Sequence, residues 1–287
     1  MNEDFYRVFE ARYRGSRESI MSRLRAYLPF VEPLRGFYDT PKAVDLGCGR
    51  GEWLELMLEA KFMPYGVDLD DGMLGACVEL GLPAEKGDAV AYLATLPDES
   101  QAVVSAFHVV EHIGFEQLRL LVSEALRVLK PGGLLIMETP NPENIVVATR
   151  DFYVDPTHRR PIPPLLLSFL PEHYGFERVK ILRLQESAEL ACNKAPSLLD
   201  VLSGVSPDYA VVAQKAGSEE IIAATKPAFD AEYGLTLESL AGRYDQHAEA
   251  RATEAEARAV DLINSTSWRI TAPMRRMVSI LRRLVSP

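Results

Sequence analysis

From residue 43 onward, short and largely apolar runs alternate with stretches in which apolar residues recur every three or four positions. Ala43–Leu46, Tyr65–Val67, Val103–Phe107 and Leu134–Met137 have the length and character of strands buried on both faces. Helices are expected between them, near 52–60, 72–80, 88–95 and 116–129. Pro131-Gly132-Gly133 stops the last of these helices and starts a strand. The alternation predicts an α/β domain with a parallel sheet covered by helices.

The flanks follow other rules. Residues 4–35 read as two helices, carried by Phe5, Val8, Phe9 and Tyr13 and then by Ile20, Leu24, Tyr27 and Leu28, with Arg14-Gly15-Ser16 between them. Prolines crowd 140–171 and break the apolar run Pro161–Pro171. Two more strands are expected at Arg178–Leu184 and Tyr209–Ala213, with no crossover helix of ordinary length legible, so a closing antiparallel hairpin is the expectation. From about Ser218 the composition turns to Ala, Glu and Arg, which places a boundary there. Three regions result: 1–37, 38–216 and 217–287. Residues 236–266 form a helix with a weak heptad seam, suited to an extended or self-associating element. Beyond Pro273, Met274, Met277, Val278, Leu281, Leu284 and Val285 share one side of a helix, with Arg275, Arg276, Arg282 and Arg283 on the other. With Trp268 ahead of it, this pattern suits the surface of an anionic membrane; docking on the chain's own core is the alternative.

Charge sharpens the picture. The net charge is −10, yet the last twenty residues hold five arginines and no acid. So acidic a body does not suit sequence-independent nucleic-acid binding, and no nucleic-acid partner is expected. Three cysteines make no disulfide framework and fit a reducing compartment. The opening Met1-Asn2-Glu3-Asp4 lacks a signal-peptide pattern, and no apolar run reaches the roughly 20 residues of a membrane span. The expected location is the cytoplasm, with the tail at the inner face of the cytoplasmic membrane.

Ala43-Val44-Asp45-Leu46-Gly47-Cys48-Gly49-Arg50-Gly51 is a strand running into a glycine turn and then a helix. Glycines let backbone approach a ligand, and the helix start offers free N–H groups. A dinucleotide fingerprint wants a further glycine at 52, where this chain has Glu52. Asp68 ends the next strand in Gly66-Val67-Asp68-Leu69-Asp70, and an acid there can accept hydrogen bonds from two ribose hydroxyls. Together with Gly87-Asp88-Ala89, Phe107-His108 and Leu129-Lys130-Pro131-Gly132-Gly133, the series resembles class I S-adenosylmethionine-dependent methyltransferases over about residues 38–215. The resemblance implies a Rossmann-like fold with a mostly parallel seven-stranded sheet, an N-terminal helical lid and a C-terminal helical extension. It implies S-adenosylmethionine as cofactor, contacted by Asp45, Gly47, Gly49, Glu52, Asp68, Leu69, Asp88, Ala89, Phe107 and His108. Arg17, in the arginine-rich N-terminal segment, is expected to join them.

Transfer to a hydroxyl needs alignment of the acceptor and a base. The candidates are His158 as base with Asp155 orienting it, and Glu111 and His112 after the fourth strand. His108-x-x-Glu111-His112 also fits a zinc-hydrolase pattern, but that needs a helix and these residues leave a strand. A Glu-x-x-Glu-His arrangement at this place binds a metal in quinone O-methyltransferases; here His108 holds the first position, and no metal is assigned. The segment around Ser267-Trp268-Arg269 and the likeness of residues 5–20 and 138–175 resemble methyltransferases that cap lipid-linked O-antigen chains. That implies O-methylation of a sugar hydroxyl on a surface polysaccharide and glycosyltransferase partners; the tail pattern adds peripheral membrane contact, and the 236–266 helix a homo-oligomer. A quinone-like small-molecule O-methyltransferase and a non-catalytic scaffold are the alternatives.

Overall fold

The strands that periodicity locates assemble into one seven-stranded sheet in the computed structural model, which describes residues 15–285. They are β1 (Lys42–Leu46), β2 (Met63–Asp68), β3 (Ala84–Lys86), β4 (Gln101–Phe107), β5 (Leu129–Pro140), β6 (Arg178–Leu184) and β7 (Asp208–Gln214), in the order β3-β2-β1-β4-β5-β7-β6. All pairs are parallel except β5 with β7 and β7 with β6. The expected antiparallel closure is present, with β7 inserted between β5 and β6.

Two short elements precede the sheet, α1 (Arg17–Leu24) and α2 (Leu28–Val31). Within it lie α3 (Glu52–Glu59), α4 (Asp71–Glu79), α5 (Ala89–Thr95) and α6 (Phe115–Val128). They are followed by α7 (Ile145–Thr149), α8 (Pro164–Tyr174), α9 (Ala188–Cys192) and α10 (Leu198–Ser203), then α11 (Glu219–Asp230), α12 (Leu237–Asn264), α13 (Thr266–Ile270) and α14 (Ala272–Val285). Successive strand residues feed opposite cores: Leu134 and Ile136 join Tyr27, Phe30, Trp53 and Phe229 on one face, while Leu135 and Met137 join Leu121, Leu170 and Tyr209 on the other. Covered on both sides, the strands need no polar face, which is why they read as runs.

Three expectations change. The proline-rich stretch does hold a crossover helix, α8: Pro164 sits in its first turn, where no N–H is needed, and Pro171 lies near its end. The boundary expected near 217 falls inside the packed unit, because Ile221, Ala228 and Phe229 of α11 are core residues and Phe229 meets Phe30 edge-on at 5.3 Å. Chain cohesion with the body ends instead along α12, where Leu240 packs with Leu190, Val205 and Leu235. The N-terminal region, in turn, is more than a cover: Tyr27, Phe30 and Leu34 are fully buried. Arg12, Tyr13 and Arg14 lie outside the described residues, as does the helix expected around Phe5–Tyr13.

Past Tyr244 the chain is exposed. Met274, Met277, Val278 and Leu281 of α14 are open to solvent, so docking on the chain's own core is not what their exposure describes. No helix among the described residues is long and apolar enough to cross a membrane.

Candidate active site

The carboxyl ends of β1, β2 and β4 and the loops beyond them border a cavity of about 990 Å³, and the start of the antiparallel β7 reaches the same edge. The cavity straddles β1 and β4, where strand order reverses, the place where open α/β sheets bind ligands.

One half is made chiefly of backbone. Gly47, Gly49 and Gly51 have φ of 71°, 54° and 79°, and a Cβ on Gly47 would meet Val109 Cγ2 at 2.4 Å. The turn is held from below by Gly47 N–H and Cys48 N–H donating to the Val67 carbonyl at 2.8 and 3.1 Å. Asp68 braces it from the side: Oδ2 accepts from Gly49 N–H at 2.8 Å and Oδ1 from Asp70 N–H at 2.9 Å, leaving each oxygen a further lone pair. Asp45 is buried and accepts from Ser105 Oγ at 2.7 Å. Asp88 caps α5 through Ala91 N–H, with Ala89 beside it on the wall, and Leu69 adds an exposed apolar surface. Glu52, at the start of α3, pairs with Arg50 at 2.8 Å while facing the cavity.

Arg17 departs from expectation. Its guanidinium is engaged by Glu55 Oε2 at 2.6 Å and the Arg50 carbonyl at 2.8 Å, and it does not border the cavity. It ties α1 to the glycine turn from outside. Arg23, two turns along the same helix, is the arginine that reaches the cavity.

The other half is made of side chains. Phe107 packs against Tyr27 and Trp53, with centroids 5.1 and 5.3 Å away. His108 follows in the left-handed region at φ 55°, a strained conformation for a residue with a Cβ. Its backbone N–H donates to the Glu138 carbonyl at 2.9 Å, and its ring lies between two carboxylates: Nδ1 is 3.2 Å from Glu111 Oε1 and Nε2 is 3.3 Å from Glu138 Oε1. Thr139 Oγ1 donates to the second Glu111 oxygen at 2.9 Å. Glu138 also accepts from the Tyr27 hydroxyl and from Gln185 Nε2, the latter at 2.9 Å. Asp208, opposite Pro140 in β5 and Leu184 in β6, completes this wall.

Burial opposes a charge on His108, but Glu111 and Glu138 outweigh it and hold the imidazole protonated well above its ordinary range. Burial likewise works against ionising Glu111, yet the His108 imidazolium keeps its carboxyl below the usual range. Asp208 is pushed up to about 6, by burial first and then by Glu138, against the opposing pull of His108 and Arg23. Burial pushes His112 down, so that it is neutral at pH 7.

His112 and His158 meet edge to face at 4.7 Å beside Glu111. Thr157 Oγ1 donates to Asp155 Oδ1 at 2.6 Å, so His112 Nδ1–H donates to Thr157 at 2.9 Å. His158 Nδ1–H donates to the Phe152 carbonyl at 2.6 Å, and its Nε2 stands 3.9 Å from Asp155, beyond a hydrogen bond. The expected cluster of His158, His112, Glu111 and Asp155 is thus brought together, as a loop clasp on the cavity wall. Residues 108–113 form no helix, in keeping with the rejection of the zinc-hydrolase pattern.

Reading the sequence missed Arg23, Tyr27, Glu138, Gln185 and Asp208. A signal existed for two: Glu138 is an acid inside an apolar strand, and Asp208 is the acid that starts one. The glycine half fits S-adenosylmethionine on structural grounds. A Cβ would fill the cradle at Gly47, and Trp53 Nε1–H, on the same wall, is a buried donor without a partner among the described residues.

The comparisons agree. The pattern of the family described as "Methyltransferase domain" matches residues 44–137. A crystal structure of an S-adenosylmethionine-dependent methyltransferase from Archaeoglobus fulgidus is 34% identical, with a TM-score of 0.65, over 74% of this chain and 100% of that one. A probable S-adenosylmethionine-dependent methyltransferase of Mycolicibacterium smegmatis is 34% identical over 150 residues, 52% of this chain and 56% of the relative. A ubiquinone biosynthesis O-methyltransferase of Methylococcus capsulatus is 33% identical over 106 residues, 35% of this chain and 44% of the relative. The chain spans about half the length of the curated relatives it matches.

Proposed function

The chain belongs to the S-adenosylmethionine-dependent methyltransferases, and from that premise we propose that it transfers a methyl group to a sugar hydroxyl of a lipid-linked bacterial surface polysaccharide. One observation carries the acceptor class. The wall facing the donor cradle is formed by Arg23, His108, Glu138, Gln185 and Asp208, a set that offers donors and acceptors to a hydroxyl-rich ligand. An apolar quinone ring would give Arg23 and Asp208 no polar partner, at a cost of about 1–3 kcal/mol for each group it desolvates. The likeness to a ubiquinone O-methyltransferase keeps that acceptor as the second reading.

In this reading the donor supplies a methyl group on a sulfonium. The glycine turn and Asp45 hold its amino-acid end, Asp68 its ribose hydroxyls, and Asp88 with Ala89 and Leu69 its adenine. Phe107 and His108 would lie beside the donor. The clasp of His112, Thr157, Asp155 and His158 keeps the 151–158 loop closed on the acceptor. Transfer of labelled methyl to lipid-linked oligosaccharides, set against a demethylated quinol, is the test. Labelling of the quinol alone overturns the sugar reading, and no heat on titrating S-adenosylmethionine favours a scaffold.

The tail extends the proposal. The exposed apolar side of α14, with Arg275 stacked on Trp268 at 3.8 Å from the ring centroid, suits an anionic lipid surface. Long and exposed, α12 suits glycosyltransferase partners or a second copy of the chain. Removing residues 268–287 is expected to abolish salt-sensitive pelleting with anionic vesicles and to leave donor binding unchanged. Equal pelleting of both forms would point the tail to a protein partner.

A further inference from the structure

We infer that Asp208 is the base that takes the proton from the acceptor hydroxyl, in a subsite it shares with Arg23, His108 and Gln185. The inference rests on the methyl-transfer reading above and assigns a catalytic role to a residue of β7, which none of the sequence motifs contains.

Placement is the first support. β7 runs against its neighbours, so its first residue arrives at the same edge as the ends of β1 and β4. Asp208 therefore faces the cavity beside His108, the residue just after β4, the strand next to the glycine turn. Ligand atoms of Asp208, His108 and Glu138 lie within 4.8 Å of one another.

Partnership is the second. The neighbouring side chains that follow β4 and belong to β5 are committed to one another: His108 to Glu111 and Glu138, Glu138 to Tyr27 and Gln185, Glu111 to Thr139. No side-chain hydrogen bond among the described residues reaches the Asp208 carboxylate, although it is largely shielded from solvent. A shielded carboxylate that faces a cavity unpaired is built to accept from something that enters it. His158 is the contrasting case. One of its nitrogens is spent on the Phe152 carbonyl, its ring is packed between Phe152 and His112, and its side chain is 12% exposed.

Chemistry is the third. The hydroxyl oxygen forms a bond to the methyl carbon as the carbon–sulfur bond breaks, its electron pair returning to sulfur to neutralise the sulfonium. The hydroxyl proton passes to Asp208, and methyl ether, demethylated donor and a neutral carboxyl result. The groups facing Asp208 are His108 and Glu111 from the end of β4, Glu138 from β5, and Arg23 and Tyr27 from the N-terminal segment. Their combined effect with burial places its pKa near 6, high for a carboxylate and ionised at neutral pH, where a general base works best. Among them His108 is fixed as a cation and cannot serve as the base itself.

The test uses the full chain, labelled S-adenosylmethionine and a panel of methyl glycosides as acceptors. Asp208→Asn is expected to lower kcat by about 10²–10⁴ with donor affinity unchanged, to abolish the acidic limb that wild type shows near pH 6, and to be partly rescued as Asp208→Glu. His158→Ala is expected to raise KM while keeping that limb. A second arm needs no acceptor: carboxyl-carbon NMR of the protein bound to demethylated donor should show a resonance titrating near pH 6 that is missing in Asp208→Asn. Retained kcat in Asp208→Asn, a limb that vanishes in His158→Ala, or an Asp208 titrating in the ordinary aspartate range overturns the inference. Wild type that labels no glycoside, yet shows the resonance near 6, sinks the sugar reading and leaves Asp208 standing as base for another hydroxyl.

Discussion

The half of the cavity proposed for the donor and the half proposed for the acceptor share one sheet edge but are lined differently. On the β1–β2 side the surface is a backbone turn shaped by three left-handed glycines, with the Asp45, Asp68 and Asp88 carboxylates around it. On the β5–β7–β6 side it is side chain: Glu111 and Glu138 raise the His108 pKa, His108 lowers that of Glu111, and burial with Glu138 raises that of Asp208. The backbone of the turn does not titrate, whereas a cluster of coupled charges does. The glycine half should therefore be the more sensitive to shape, and the half around His108 the more sensitive to pH.

The strongest way to break that contrast is Gly47→Ala. Its Cβ would lie 2.4 Å from Val109 Cγ2 on a backbone with φ 71°, so the turn must deform. We expect donor affinity to fall by more than about 100-fold, of order 3 kcal/mol, in a chain whose circular dichroism is unchanged. Calorimetric binding within tenfold of wild type would mean that backbone shape does not define the donor half.

Asp68→Ala comes next, at about 1.5–3 kcal/mol of donor affinity. The same carboxylate braces Gly49 and Asp70, so some of that loss is disorder in the turn. Unchanged affinity in the folded variant would remove Asp68 from the donor site.

On the acceptor side, His108→Gln should alter the pH dependence of stability. The folded pKa of His108 is raised, so its contribution is fully present below the unfolded value near 6.5 and is lost as pH rises through the folded value. Urea unfolding of wild type should lose stability between pH 6.5 and higher pH, and His108→Gln should flatten that slope. Parallel slopes would show that the cluster is not the titrating half.

Arg17→Ala carries the smallest effect. The Arg17–Glu55 pair is partly exposed and screened, so about 0.5–1 kcal/mol of stability is expected to be lost, with donor affinity nearly intact. A large loss of donor affinity would return Arg17 to the donor site.

Sequence alone determined the strand–helix alternation, the glycine turn after β1 and the acid that ends β2. Each is written in residues next to one another, because a tight turn needs left-handed backbone at fixed spacing and a buried parallel strand needs an unbroken apolar run. Helix α8 escaped that reading because Pro164 and Pro171 look like breakers, although a first-turn proline costs a helix no hydrogen bond. Helix α11 escaped because its apolar face, Ile221, Ala228 and Phe229, has meaning only against Phe30 on a segment far away in sequence. Tertiary structure alone decided the acceptor wall. Arg23, His108, Glu138, Gln185 and Asp208 have no common spacing, and Asp208 joins the others through the antiparallel insertion of β7, which carries its first residue to the edge where the parallel strands end. Ionisation there shifts through space in a shielded cavity: nearby carboxylates outweigh burial at His108, while burial outweighs the pull of His108 at Asp208.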